Sequence, residues 1–356
     1  MAASAMHISP FLPLPLPTQF SSFTRCFFNF HSTLSISPRL SLSTLRSSSA
    51  PPMETRTNII PPSDSVMIDK EVNKIKNILA CSICRGPLTA AADSGLSVES
   101  TNGYQLECGT CKKSFTGSES HLDLTITGGI NSGESMPAAT EIFRTRLVSF
   151  LYERGWRQSF SVLLGFPGPE KEFELIKNFI TPVLGGSIID ASCGSGMFSR
   201  IFAKSGLFSS VVALDYSENM LRQCYGFIKQ EENFPNERLV LIRADIARLP
   251  FASSSVDAVH AGAAVHCWPS PSAGVAEISR ILRPGGVFVA STFIMDGPFS
   301  FVPFLRIQIE GIQQIAGSRI FLSERELEEL CTACGLVDFK CLRNRQFVML
   351  SATKRS

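Results

Sequence analysis

From Gly168 to the carboxyl end, short unbroken apolar runs alternate with longer stretches in which apolar residues return every third or fourth position. The first pattern predicts buried strands and the second predicts amphipathic helices. PEKEFELIKNFI reads as a helix, SIID as a strand, GMFSRIFAKSG as a helix, SSVVALD as a strand and SENMLRQCYGFIKQ as a helix. RLVLIRAD and VDAVHAG continue as strands, then come a helix over SAGVAEISRIL and a strand over GGVFVAST. The helix SERELEELCTACG precedes two last strands, VDFKCLRN and QFVMLSAT, which should pair as an antiparallel hairpin. This alternation predicts an α/β fold with a doubly wound parallel sheet, expected over residues 138–356. Such sheets bind ligands beyond the carboxyl ends of their strands, so the loops after the first four strands are the candidates.

One stretch breaks the alternation. Residues 293–322, rich in Phe and Ile, are too long for a simple connection and are expected to form a lid. Ahead of the sheet, LYERGWRQSF reads as helix-like and carries Tyr152 and Trp156.

The amino-terminal residues 1–52 differ in kind. They hold twelve Ser, four Thr, three Arg and no acidic residue, and Pro13, Pro15 and Pro17 interrupt their apolar run. A secretory signal needs an unbroken apolar region, so this composition suits an organelle transit peptide instead. Its wealth of Ser, Pro and Phe points to the plastid; a disordered tail without targeting role is the alternative. Residues 53–79 read as a linker leading into a helix. Without the leader, 33 basic and 31 acidic residues become 30 and 31, because Arg25, Arg39 and Arg46 are removed. A near-neutral body argues against a broadly basic nucleic-acid binder. The 44% hydrophobic and 18% charged content supplies a core and argues against disorder. No apolar run is long enough to predict a transmembrane segment.

Eleven cysteines add chemistry. Cys81-x2-Cys84 and Cys108-x2-Cys111 stand 23 residues apart, and each pair can close a knuckle on one metal, together completing the tetrahedral thiolate shell that zinc prefers. Residues 80–127 are thus expected to form a small zinc-ribbon-like module of hairpins, too small to fold without metal. Redox or structural thiols are the alternative. His121 reads as a bystander, and Cys331 and Cys334 as packing residues on one helix face.

The first strand of the alternating region ends in Asp190 and runs into Ser192-Cys193-Gly194-Ser195-Gly196 at a helix start. Glycines let backbone approach a ligand closely, and free helix amides can donate to it. Asp215 ends the second strand, where a carboxylate can accept both hydroxyls of an adenosine ribose, and Asp245 ends the third. GSGMFS also nearly meets the dinucleotide fingerprint, which would make the protein a nicotinamide-dependent oxidoreductase, but Ser199 stands in place of the third glycine.

With DASCGSG, LDYSENML, ADIARLPF, SSVDAVHAG and EISRILRPGG in this order, the chain resembles the class I S-adenosylmethionine-dependent methyltransferases of the type 11, UbiE-like group. Ser192 departs from that group's first glycine. The resemblance implies a Rossmann-like methyltransferase fold with Asp190, Ser192, Gly194 and Gly196 at the methionine end of S-adenosylmethionine. It further implies Asp215 on the ribose, Asp245 and Ile246 at the adenine, and Tyr216 and Met220 flanking the adenosine. The run from LYERGWRQSF through HCWPSPSAGVAEISRILRPGG resembles plastid-targeted plant methyltransferases associated with lipid bodies, which implies a place in the stroma or plastoglobule, the latter with peripheral lipid-body association. A zinc ribbon ahead of such a domain also resembles bacterial 23S ribosomal RNA guanine methyltransferases, in which the ribbon helps bind RNA.

Methyl transfer from a sulfonium needs alignment more than acid–base help. Should the acceptor hold a proton, His266 and then His260 are the candidate bases, both expected at the mouth of the site; packing is the blander role for each. Tyr152, Trp156 and Trp268 are candidate substrate walls. The apolar lid favours a hydrophobic small molecule such as a quinone, chlorin or lipid-like acceptor. Ribosomal RNA is the alternative substrate, and a non-catalytic zinc-ribbon scaffold the alternative to an enzyme.

Overall fold

The computed structural model describes residues 75–90, 95–126, 165–294 and 322–356. The expected transit segment, Tyr152, Trp156 and residues 295–321 of the expected lid lie outside them.

In chain order the strands and helices are β1 Leu88–Ala90, β2 Gln105–Cys108, β3 Ser114–Thr116, β4 Leu122–Asp123, α1 Pro169–Ile180, β5 Ser187–Ala191, α2 Met197–Ser205 and β6 Ser210–Asp215. There follow α3 Glu218–Gln230, β7 Leu239–Arg243, β8 Val256–Gly262, α4 Pro271–Ile281, β9 Leu282–Phe293, α5 Glu324–Ala333, β10 Leu336–Asn344 and β11 Phe347–Lys354. Local chemistry sets several of these ends. Pro169 opens α1, where its missing N–H costs nothing. Ser217 caps α3 by accepting from the Met220 amide, and Ser323 and Glu326 form a reciprocal capping box on α5.

One eight-stranded sheet carries the fold, in the order β10-β11-β9-β8-β5-β6-β7-β4. Strands β4 to β9 within it run parallel, while β11 pairs antiparallel with β9 and β10 antiparallel with β11. The chain moves outward from β5 through β6 to β7, then returns to the other side of β5 with β8. The β5–β8 boundary is therefore the topological switch point, where helices lie on opposite faces and leave a crevice above the strand ends.

Both faces are covered. On one, Ile176, Phe202, Leu221 and Cys224 of α1 to α3 pack on Ile188, Val211 and Leu241. On the other, Ile278 of α4 and Leu327 of α5 share a core with Val240 and Ile242, and so do Leu88, Leu106, Phe115 and Leu122 of the cysteine-bearing segment. That segment has its own small antiparallel sheet, β1-β2-β3, but it does not stand apart. Its strand β4 is the eighth strand of the large sheet, with Leu122 opposite Ile242 and Asp123 opposite Arg243. The amides of Val98 and Leu124 donate to the carbonyls of Leu239 and Arg243 at 2.8 and 2.9 Å. The physical reason is the outer edge of β7, whose backbone groups need partners.

Candidate functional site

Above the switch point a single pocket gathers the ends of β5, β6 and β7 and the turn after β8. Its floor is the turn from β5 into α2. Ser192, Gly194 and Gly196 there all have left-handed backbone, at φ 59°, 57° and 77°. At Gly196 the need for glycine is steric as well, since a Cβ would strike the Cys224 sulfur of α3. Gly196 lies beneath the pocket as the cap of α2, whereas Ser192 and Gly194 line it. Ser192 manages the left-handed conformation without being glycine, and its Oγ accepts a 2.9 Å hydrogen bond from the indole of Trp268.

Asp215, at the end of β6, ties this floor to the next loop. Its Oδ2 accepts from the Gly194 amide at 2.9 Å and its Oδ1 from the Ser217 amide at 2.7 Å. Burial pushes its carboxyl up to about 6, against the pull of those two amides. Tyr216 and Met220 line the wall beside it, and Asp245 and Ile246 the wall after β7. Asp245 caps a short 3-10 turn by accepting from the Ala247 amide at 2.9 Å.

Asp190 also lines the pocket, with different partners. It is buried, its Oδ2 accepting from Ser199 at 2.5 Å and its Oδ1 lying 2.8 Å from Nδ1 of His260. His260 therefore does not stand at the mouth of the site, where it was expected. It lies inside β8, is only 1% exposed, and is wedged against the rings of Phe198 and Phe202 at centroid distances of 4.9 and 5.2 Å. Side chains of a strand alternate between faces, and this position points to the α2 layer rather than up to the crevice. Its Nε2 is buried without a hydrogen-bond partner among the described residues.

His266 does line the pocket, in the turn after β8. Its Nδ1 lies 3.0 Å from the Thr292 hydroxyl, and its ring 4.3 Å from that of Phe293. Burial lowers its pKa to about 4, so the imidazole is neutral at physiological pH. Trp268, Phe166, Met197 and Phe198 line the pocket as well. Cys193 and Cys267 also face the pocket, and burial raises both thiols, Cys267 to about 12, which makes them inert wall material. Phe166, Cys193, Cys267 and Phe293 were not singled out by sequence. Phe166 and Phe293 lie outside the glycine and aspartate motifs and reach the pocket only through the packing of α1 and the end of β9.

The second site is the four-cysteine cluster. Ligand atoms of Cys81, Cys84, Cys108 and Cys111 all lie within 4.8 Å of one another, with Cys81 and Cys111 sulfurs 3.6 Å apart and Cys84 and Cys108 sulfurs 3.4 Å apart. Thiolates at about 2.3 Å from a tetrahedral zinc stand about 3.8 Å from one another, so the set fits that ion. Two backbone amides also face the sulfurs: Ile83 donates to Cys81 and Cys111 to Cys108, each at 3.4 Å. Burial pushes Cys108 up, but the backbone amides of Cys111 and Thr110 outweigh it and bring the thiol to about 6; Cys81, dominated by burial, goes to about 12. His121 is not part of the cluster. It is buried, with Nδ1 near the hydroxyls of Ser118 and Ser120.

Among the described residues no helix is long and apolar enough to cross a membrane. A family profile described as a methyltransferase domain matches residues 189–290. An uncharacterized chloroplastic methyltransferase of Arabidopsis thaliana is 64% identical over 297 residues, covering 82% of this chain and 83% of that protein. A second chloroplastic methyltransferase of Arabidopsis thaliana is 46% identical over 279 residues, covering 78% of each. Among solved structures, a Haemonchus contortus phosphoethanolamine N-methyltransferase with S-adenosylhomocysteine shares the fold, with a TM-score of 0.50 and 16% identity over 62% of this chain and 60% of that one.

Proposed function

The chain belongs to the S-adenosylmethionine-dependent methyltransferases that carry this domain, and we propose that it methylates an uncharged, hydrophobic small molecule in the plastid, with a structural zinc ion in its four-cysteine cluster. The observation that carries the acceptor class is the charge of the pocket wall. Asp190, Asp215 and Asp245 line it, and among the described residues no Lys or Arg does. A phosphate-bearing acceptor would meet carboxylates and, among the described residues, no counter-cation, whereas a cofactor with a sulfonium and an ammonium group suits that field. The acceptor end adds Phe166, Phe293, Trp268 and Met197, which favour an apolar ring or chain.

The roles in this reading are as follows. Asp215 accepts the ribose hydroxyls while holding the Gly194 amide, so one carboxylate orders both the sugar and the floor beneath the methionine moiety. Asp245 and Ile246 bound the adenine, and Tyr216 and Met220 its flanks. When bound, S-adenosylmethionine supplies an electrophilic methyl and leaves as a neutral thioether. The protein's part is alignment and exclusion of water at the Phe293 and Trp268 end. A neutral His266 can take a hydrogen bond from an acceptor hydroxyl and so fix its direction; Thr292 fixes the ring. His260 keeps Asp190 in place and has no contact with the acceptor in this scheme. The zinc ligands are Cys81, Cys84, Cys108 and Cys111.

The test is incubation of the purified protein with methyl-labelled S-adenosylmethionine and separate plastid lipid and RNA extracts at about 50 and 200 mM salt. Label in the lipid fraction that persists at the higher salt is the expected result. Label confined to ribosomal RNA would replace this acceptor with the RNA alternative, and no label in either, with no cofactor binding, would favour a scaffold.

A further inference from the structure

The cysteine-bearing segment grips the cofactor pocket at two places. The first runs through Arg243, at the end of β7. Its Nη1 pairs with Asp123 of β4 at 2.9 Å, its Nε donates to the Tyr216 carbonyl at 3.1 Å, and its guanidinium carbon lies 5.6 Å from the centre of the Tyr216 ring. Arg243 and Asp123 are both largely shielded, with side chains 19% and 25% exposed. One ribbon carboxylate thus fixes the cation that holds both the backbone and the ring of a pocket residue.

The second place is the loop after Asp245 and Ile246. Immediately before the first metal ligand, the Ala80 amide donates to the Pro250 carbonyl at 2.9 Å, and the Ala252 amide donates to the Ile78 carbonyl at 2.8 Å. Immediately after the second ligand, Arg85 reaches Glu277 at 2.7 Å, and the other oxygen of Glu277 accepts from the Leu249 amide at 2.9 Å. The two grips are joined through the metal site itself. Cys108 lies on β2, which pairs with β3, and a bridge from Gly117 to Leu122 carries the ladder on to Asp123.

We propose that the ribbon braces the adenosine half of the cofactor pocket from outside, with Asp123 positioning Tyr216 through Arg243, so that metal at the four cysteines and cofactor in the pocket bind cooperatively. This rests on the cofactor reading above. Asp123 and Arg243 are positioning residues: neither lines the pocket, and each acts by holding a residue that does. The consequence is reciprocal, because a ligand that tightens the hold of one site on a second must have its own hold tightened by the same factor.

The experiment uses the full zinc-loaded chain and calorimetric titration with S-adenosylhomocysteine. Asp123→Asn, which keeps the size of the side chain, is expected to weaken binding about fivefold, the lower range of inter-site coupling. Asp123→Glu should recover most of that loss. Arg243→Gln should weaken binding similarly, and adding Asp123→Asn to it should cost little more, because both act on one route. In turnover the KM for S-adenosylmethionine should rise while kcat at saturation stays close to that of the parent. Independently, loss of zinc to a chromophoric chelator should become harder as S-adenosylhomocysteine is added. A parent protein that binds S-adenosylhomocysteine, with variants that bind it equally well or zinc loss indifferent to it, overturns this inference alone. A parent that binds none overturns the cofactor reading and this inference with it.

Discussion

The indole N–H of Trp268 donates to the hydroxyl of Ser192 at 2.9 Å, joining the turn after β8 to the floor of the pocket. Ser192 has φ 59°, a conformation that costs a residue with a Cβ about 1–2 kcal/mol. A hydrogen bond of this kind returns about 1 kcal/mol, so the pair accounts for a serine where the methyltransferase pattern has glycine.

Ser192→Gly relieves the strain and removes the tie together, and is expected to change unfolding free energy by less than about 1 kcal/mol. Trp268→Phe should cost more, because the buried ring loses packing as well. In a double-mutant cycle read by urea unfolding, the two should couple by about 0.5–1.5 kcal/mol. Strict additivity would mean that the hydrogen bond carries nothing.

Asp215→Ala should weaken S-adenosylhomocysteine binding by about 2–3 kcal/mol, since it loses charged hydrogen bonds to ligand and to the Gly194 amide. The parent's affinity should be level above about pH 7 and fall through pH 6, because the free carboxyl has its pKa pushed up to about 6 and only its ionised form accepts two hydroxyls. Calorimetry from pH 5 to 8 checks both. An affinity independent of pH across this range would remove Asp215 from the role assigned to it.

His266 sets the pH dependence of stability with the opposite sign from Asp215. Its folded pKa, about 4, lies below the ordinary 6.5, so between these values the unfolded chain binds more protons and stability is lost as pH falls. Asp215, raised from 3.8 to about 6, makes the folded chain bind more protons in nearly the same window, so its contribution declines as pH rises. The two partly offset one another. His266→Gln should therefore tilt the melting temperature toward lower values at higher pH between about 4 and 6.5. An unchanged profile would show that His266 is not held neutral.

One zinc per chain is expected by elemental analysis. Cys84→Ser and Cys81→Ser should both reduce it, but with unequal structural cost. Cys84 is exposed, whereas Cys81 is buried in the core shared with the sheet, so its replacement leaves a polar group there and should add about 1–3 kcal/mol of destabilisation. Full zinc content in either variant would show that the cysteine in question is not a ligand.

The alternating strands and helices were legible because each element combines a strong period with clear ends, as in the Pro169 start of α1 and the Ser323 capping box of α5. The glycine loop and the three strand-end aspartates were legible because backbone conformation and carboxylate chemistry restrict residue type at those points. The position of His260 was not. VDAVHAG was read as a strand and is one, but in a strand buried on both faces the sequence does not show which face a side chain takes, and His260 turns to the rings of the helix layer. The union of ribbon and sheet was equally hidden, since β4 has two residues and its partner lies 120 positions further on. Short strands paired across such distances carry no periodic signal.

The pairing of β4 with β7 also decides what happens when the chain is shortened. A protein trimmed to begin at α1 would keep every motif of the methyltransferase and lose the cover on the outer edge of β7. The carbonyls of Leu239 and Arg243 would be released, and Val240 and Ile242 would lose neighbours from the shared core. An open apolar edge of this kind invites pairing with another copy. Aggregation on removal of the front segment would then be a property of the sheet rather than a sign that the segment assists folding, and capping that edge by a short unrelated strand would restore solubility without restoring metal.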